Sequence, residues 1–394
     1  MTIEKAKISD VLWFQEGPGV RNTQYTSDGV KLLNVANLVD GNVDLSTSTR
    51  YISEDEAYGK YKHFLVDEGD FIIASSGIKV EYFEKKMGFI DSSQLPLCMN
   101  TSTIRFKTID ENILNIRYFM YYLKSEQFKE QLSRHITGSA QLNFGPSHLN
   151  KMFMPIPDMK HQKYIVNVFD MISKIEDKRK KQLEKLNELV KARFVELFGD
   201  PVDNPKCYDK RQLKETCKVI TGNTPSRAVS EYYGEHIEWI KTDNIVSGLI
   251  NPTTAVEYLS EKGMAVSRTV EKGSILMACI AGSVSSIGRV CITNRKVAFN
   301  QQINAIVAND YNILFLYVML QISKEYLIKG INMALKGILS KSKLEEKVFI
   351  VPPIELQNQF AAFVEQTDKS KLEVYKGLEK LELLKKALMQ KFFG

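Results

Sequence analysis

The chain has 394 residues, 44% apolar and 25% charged, which is too long for a single core and too mixed for a disordered or fibrous polymer. Its net charge of +6 suits a polyanionic partner without requiring one, and with 16 basic against 19 acidic residues in 1–150 and 18 against 14 in 200–345, any binding surface must be a local patch. The densest apolar run (Ile313 to Leu320) is too short to span a bilayer, the opening MTIEKAKISD has no apolar signal region, and the five cysteines form no C-x-x-C, so we expect reduced thiols, no membrane contact and a cytoplasmic location.

In sequence order, residues 1–150 hold short β-branched and aromatic runs separated by Gly, Asn and Asp: KLLNVANLVDGNVD (Lys31 to Asp44), VDEGDFIIASSG (Val66 to Gly77) and LCMNTSTIRF (Leu97 to Phe106). These read as strands joined by tight turns. A helical stretch, IRYFMYYLKSEQFKEQL, and a polar loop, TGSAQLNFGPSHL, close the segment. Residues 151–199 open on the proline-rich MPIPDMKHQ, whose prolines favour extended backbone, and continue as a helix from near His161 to a glycine stop at Gly199. Residues 200–345 repeat the landmarks in order: EWIKTDNIVSGLIN, VEKGSILMACIAG, VAFNQQINAIV, a helical ILFLYVMLQISKEYL and a polar KGILSKSKL. Residues 346–394 open on VPPIELQNQ and run as a helix from near Leu356 to Gly394.

The two helical segments match without a gap at an offset of 195 residues, from Pro157/Pro352 to Gly199/Gly394, through Gln162/Gln357, Leu183/Leu378, Leu186/Leu381 and Phe198/Phe393. Such a register points to a duplicated unit. Ile165, Phe169, Ile172, Leu183, Leu186, Val190 and Leu197 keep a 3-4 spacing in the first copy, as do Phe360, Val364, Thr367, Val374, Leu378, Leu381, Leu388 and Phe392 in the second. That is a coiled-coil seam, broken by Glu176, Arg179, Lys371 and Lys385. Helices of ~38 residues would be about 57 Å long. Two such helices bury their seams most simply against each other, and an antiparallel pair would carry approximate two-fold symmetry.

The short motifs TGNTPSR (Thr221 to Arg227), WIKTDNIVSG (Trp239 to Gly248), FNQQINAI (Phe299 to Ile306), SKLEEKVFIVPPIELQNQF (Ser342 to Phe360) and the L-x-x-x-F-G type ending complete the pattern. With these motifs, two unlike globules and two similar long helices, the whole sequence resembles the specificity subunit of type I restriction–modification systems. The first globule departs from the motifs, with GPGVRNT (Gly17 to Thr23) in place of TGNTPS and NTS (Asn100 to Ser102) in place of NQQ. The resemblance implies an α+β fold with a pseudo-two-fold internal repeat. Two globular target recognition domains (1–150 and 200–345) would be separated by two long antiparallel coiled-coil helices (151–199 and 346–394). It further implies binding of double-stranded DNA at an asymmetric, bipartite site, two methyltransferase subunits docked on the helices, and restriction/translocase subunits joined through them. No cofactor is expected on this protein; S-adenosylmethionine, ATP and Mg would sit on the partner subunits.

Base edges and phosphates are met by Arg, Lys, Asn, Gln, Ser and Thr on loops. The candidates in the second half are Thr224, Ser226, Arg227, Lys241, Asp243, Asn244, Ser283, Ser285, Ser286, Arg289, Asn300, Gln301 and Gln302. Those in the first are Arg21, Asn22, Asn34, Asn37, Ser75, Ser76, Lys79, Asn100 and Ser102. Each competes with a plainer role as a turn or cap, above all the recurring pairs Asn37/Asn244 and Asn100/Asn300. The aromatic YFMYYL (Tyr118 to Leu123) reads as a core helix face rather than a stacking platform, because its mate is simply apolar. KRKKQLEK (Lys178 to Lys185) reads as a solvated face.

Catalytic signatures are missing from the sequence. Asn251-Pro252-Thr253 lacks the second proline and the aromatic of an N-P-P-[YF] methyltransferase loop, and no G-x-x-x-x-G-K-[ST] or H-E-x-x-H occurs. Pro157-Asp158 followed by Glu176-Asp177-Lys178 spells a nuclease-like order, but along a helix its acids would lie ~27 Å apart. The other readings are a single-chain nuclease–methylase, which would need those missing motifs, a scaffold that never touches DNA, and the specificity partner of a related multi-subunit restriction class.

Overall fold

The computed structural model describes all residues except 1–3, 48, 136–141, 284 and 332–336. The protein divides into two compact units. One holds Met1–Asp177 with Leu378–Gly394, the other Lys178–Gly377.

In the first unit a four-stranded antiparallel sheet has the order Leu12–Glu16, Thr103–Thr108, Phe71–Ala74, Met87–Phe89. A second sheet pairs Val30–Leu33 in parallel with Leu97–Met99 and antiparallel with Tyr51–Ile52. Phe71–Ala74 is buried on both faces, as a strand enclosed between layers must be. Against it packs the helix Ile116–Leu123, whose Tyr118, Phe119, Tyr121 and Tyr122 are buried. The aromatic run is therefore core, as read. Glu4–Lys7 pairs antiparallel with Phe153–Ile156, so the N-terminal strand is tied to the strand that leads into the first long helix.

The second unit repeats this plan. Its four-stranded antiparallel sheet runs Cys217–Thr221, Ile303–Ala308, Ile275–Ala278, Val290–Ile292. Tyr233–Ile240 pairs in parallel with Val297–Phe299 and antiparallel with Tyr258–Leu259. The apolar helix Ile313–Ile322 fills the core, and Lys210–Gln212 pairs with Val348–Ile350. The polar loops read at 137–149 and 336–344 lie partly outside the described residues. Of what is described, Leu142–Asn143 pairs with Ser76–Ile78, and Gly337–Ile338 with Ile280–Ala281.

The long helices run Met159–Phe198 and Ile354–Phe393, each starting two residues before the position read from sequence and ending as expected before a glycine. In the first unit Phe169 stacks on Phe393 (6.3 Å) and meets Phe392 edge-on (6.0 Å). There the seam residues Glu176 and Lys385 form an ion pair at 3.5 Å, so two apparent breaks in the seam answer each other. In the second unit Phe194 and Phe198 pack on Phe360 at 5.4 and 5.6 Å, and the Arg179 guanidinium lies against Gly377, where a Cβ would meet it at 3.5 Å. The packing is antiparallel within each unit. The helix ends depart from the heptad spacing: the aromatics fully sunk there are Phe194, Phe198 and Phe393, while Leu197 and Phe392 are only partly buried. The ends turn one face further, into the globule core.

The shared prolines and glutamines fasten helix to globule. Gln162 accepts from Asn115 N (2.9 Å) and donates to Ile113 O and Pro157 O (both 2.8 Å). Gln357 accepts from Asn312 N (2.9 Å) and donates to Pro352 O (2.8 Å). Asp158 accepts from His161 N at 2.8 Å, a helix-capping role for the first acid of the nuclease-like string. Lys178–Lys185 is largely exposed, as read. Cys98, Cys217, Cys279 and Cys291 are buried and Cys207 is exposed, all as free thiols. No helix among the described residues is long and apolar enough to cross a membrane.

Candidate nucleic-acid interface

Each unit builds a loop cluster on the same backbone joint. Gly17 N donates to Thr103 O (2.9 Å), and Gly222 N donates to Ile303 O (3.0 Å). A Cβ on Gly17 would sit 2.0 Å from Asn100 O, and one on Gly222 would sit 2.2 Å from Asn300 O. Only glycine allows that approach. It brings the loop after each glycine beside the turn that follows each asparagine, which explains why GPGVRNT and TGNTPSR occupy equivalent places despite their different letters.

In the first unit this joint borders a concavity of about 630 Å3 whose walls include Asn22, Tyr25, Asn34, Arg50, Asn100 and Ser102. Asn100 Nδ2 donates to Asn34 Oδ1 (2.9 Å), and Asn100 Oδ1 accepts from Thr101 N (2.8 Å). Arg50 lies over the Tyr25 ring at 5.4 Å, placed there by the bridge between Thr26 and Tyr51. Ser102, in the left-handed region (φ 67°), bonds through its hydroxyl to Ser76 at 2.6 Å. Arg21 and Lys79 are exposed, whereas Ser75 is 1% exposed and faces inward.

In the second unit Arg227 lies over Tyr233 (4.4 Å) and Trp239 (5.3 Å), and Lys241 over Trp239 (5.0 Å). Glu257 joins them, paired with both Arg227 and Lys241. The Lys241 hydrogen bond, followed by that of Arg227, holds the Glu257 carboxyl below its ordinary range against a desolvation that would raise it. The result is one surface with an arginine fork, an ammonium and a carboxylate on a two-ring aromatic base. Trp239 Nε1 donates to Asn223 O (3.3 Å), and Thr224 bonds to Gln301, so the two loops are stitched together. Ser226 and Asp243 are exposed beside them. Asn300 Oδ1 accepts from Gln302 N (3.1 Å).

Two of the recurring asparagines have structural work. Asn37 Oδ1 accepts from Asn34 N (2.9 Å) and its amide donates to Asp44 O (3.0 Å). Asn244 Oδ1 accepts from Lys241 N (3.0 Å) and its amide donates to Thr254 O (3.0 Å). Both side chains are buried, so the turn role weighed above is the one their bonds support. Ser283, Ser285 and Ser286 bond mainly among themselves, and Arg289 lines a separate cavity with Lys324. Sequence reasoning missed Tyr25, Arg50, Tyr233 and Glu257. Arg50 and Glu257 are brought in by pairing between segments distant in sequence, which no local spacing announces, whereas Tyr233 shares the strand Tyr233–Ile240 with Trp239.

A family model for the type I restriction modification DNA specificity domain matches residues 2–185 and again 205–383. The type I restriction enzyme MjaIX specificity subunit of Methanocaldococcus jannaschii is 24% identical over 376 residues, covering 85% of this sequence and 84% of that protein. The HindI specificity subunit of Haemophilus influenzae is 29% identical over 119 residues, 30% of this sequence and 25% of that one. Among solved structures, one from a study of complex assembly and conformational transition of the type I R-M system shares the fold. Its TM-score is 0.59 at 15% identity, over 99% of this protein and 97% of that one. The type I restriction-modification S subunit from M. genitalium does so at a TM-score of 0.55 and 15% identity, over 100% and 97%. With the specificity domain occurring twice and spanning most of its length, the protein belongs to the family of type I restriction–modification specificity subunits.

Proposed function

We propose that the protein is the DNA-reading, non-catalytic subunit of a type I restriction–modification complex, working in the cytoplasm. Each globule reads one half of an asymmetric, bipartite site in double-stranded DNA. The observation that carries this is one backbone joint used twice under different side chains: Gly17 against Asn100 beneath Arg50 and Tyr25, and Gly222 against Asn300 beneath Arg227, Lys241 and Trp239. A common scaffold with unlike faces suits two readers of different sequences. An arginine fork can address guanine and a carboxylate the cytosine amino group, while neighbouring amides and hydroxyls engage adenine or phosphate.

In this reading the globules span 1–150 and 200–345. The long helices at 151–199 and 346–394 act as an antiparallel coiled-coil spacer, and the duplicated plan gives a pseudo-two-fold repeat. Two methyltransferase subunits dock on those helices, and restriction/translocase subunits join through the complex. S-adenosylmethionine, ATP and Mg belong to the partners. Two readers on one groove must stand about one helical turn, ~34–36 Å, or a multiple apart, and stiff helices hold such a distance better than a flexible linker.

Binding of the full-length protein alone to duplex DNA, titrated with salt, tests this. Several phosphate contacts predict a log–log slope of about −0.9 per contact, hence roughly −4 or steeper for five. A plain scaffold would give no duplex binding, and that result would end the proposal.

A further inference from the structure

A cavity recurs at corresponding places in the two units. In the first unit about 510 Å3 lies between the stretch Tyr121–Lys129 and the second long helix at Glu382–Phe393. In the second about 260 Å3 lies between Tyr317–Lys324 and the first long helix at Asn187–Lys191. Along the offset of 195 residues, Glu382, Lys385 and Lys386 correspond to Asn187, Val190 and Lys191. With Ile116 set on Ile313, Lys124 and Gln127 fall on Gln321 and Lys324. The walls are the same and the charges are not.

In the first unit the protein answers its own cations. Lys386 pairs with Glu382 (3.0 Å), Lys129 with Glu84 (3.0 Å) and Glu126 (3.1 Å), and Lys385 with Glu176 (3.5 Å). In the second unit two of those carboxylates are replaced. Asn187 stands where Glu382 does, and Lys371 where Glu176 does. Lys191, Arg289, Lys324 and Lys371 all line the cavity, and no Asp or Glu is among its lining residues. None of the four cations has an ion pair within 4.0 Å among the described residues. Lys324 Nζ donates to Ser285 O (2.6 Å) and Arg289 Nε to Ser286 O (3.3 Å), which leaves each with further N–H donors. Burial pushes the Lys324 and Lys371 ammonium groups down, and Arg289 adds repulsion at Lys324. The carboxylate that acts on Lys371 is Asp368, which lies off the lining. Like charges gathered in a concave, partly desolvated place stabilise an anion that enters it.

We propose that the cavity of the second unit is an oxyanion site that takes a phosphate group, held by Lys191, Lys324, Lys371 and Arg289. The ligand supplies the charge that Glu382 supplies within the first unit. This site does not depend on the proposed DNA reading, and it gives Arg289 a role away from base edges.

The test is the melting temperature of the full-length protein in chloride, inorganic phosphate and dimethyl phosphate at matched ionic strength. Phosphate should raise it saturably by about 2 °C or more above chloride, as ligand binding to the folded state requires. A response to phosphate alone assigns a terminal phosphate group, and a response to both assigns a diester; either supports the site. The K191Q/K371Q double variant should lose the response, while K386Q, in the cavity of the first unit, should keep it. Asn187→Glu installs the missing carboxylate. It should melt higher than the parent without phosphate and respond no further. A phosphate effect no larger than that of chloride overturns the proposal, as does one that survives in both the double variant and Asn187→Glu.

Discussion

Replacing Gln357 with alanine should loosen the second unit where its long helix leaves the globule. The side chain is 1% exposed; its Oε1 accepts from Asn312 N at 2.9 Å and its Nε2 donates to Pro352 O at 2.8 Å. Asn312 is the N-cap of the core helix Ile313–Ile322, so one amide ties the start of that helix to the start of the long one. Alanine takes the partner from a half-buried backbone amide and a buried backbone carbonyl. Each stranded group costs about 1–3 kcal/mol, so the two together cost about 2–6 kcal/mol before any cavity is counted. For a unit of about 200 residues, each kcal/mol shifts the melting temperature by about 2–4 °C, which predicts a fall of about 4–24 °C by scanning calorimetry. Gln162→Ala should act alike in the first unit, where the amide makes three such bonds. A loss under about 0.5 kcal/mol in both variants would mean that the amides fasten nothing, and the reading of the shared glutamines would fail.

Acid should weaken the second unit through Glu238, whose carboxylate takes a two-pronged contact from Arg295 at 2.6 and 2.7 Å. The Arg295 hydrogen bond, with help from Ala255 N, depresses the Glu238 pKa. The stabilisation is therefore complete above the unfolded value of about 4.3 and is lost as pH falls through the lower folded one; E238Q should flatten this part of a urea-denaturation series between pH 3 and 6, and an unchanged pH dependence would count against it. Alkylation at pH 7.5 should modify Cys207 first, because burial pushes the Cys98, Cys279 and Cys291 thiols up to about 12; peptide mapping that found any of those three modified as fast in the native protein would contradict the burial.

Much of the fold was legible because the sequence writes it twice. Proline, glutamine and glycine recur in register, and each recurrence answers a physical need: an extended lead-in strand, a buried amide latch, a helix stop or a close backbone approach. The aromatic run of the helix Ile116–Leu123 was legible as core because its mate in the helix Ile313–Ile322 is almost wholly apolar. The ends of the long helices were less so. A heptad count selects Leu197 and Phe392, but where a helix meets a globule the buried face rotates, and Phe194, Phe198 and Phe393 take the interior. Glu176 and Lys385 looked like breaks because a seam is read one helix at a time, whereas their ion pair exists only between two. The candidate interface was half legible. Loop residues such as Asn22, Thr224 and Arg227 announce themselves by type, but Arg50 over Tyr25 and Glu257 between Arg227 and Lys241 arise from strand pairing between distant segments.

Genome-wide mapping of methylated bases in cells with and without this gene tests the central claim most directly. Two readers on a fixed spacer predict one bipartite motif, with a constant number of unspecified bases between two unlike halves, that vanishes when the gene is deleted. A contiguous motif, or a methylation pattern unchanged by the deletion while the partner subunits are active, would contradict it.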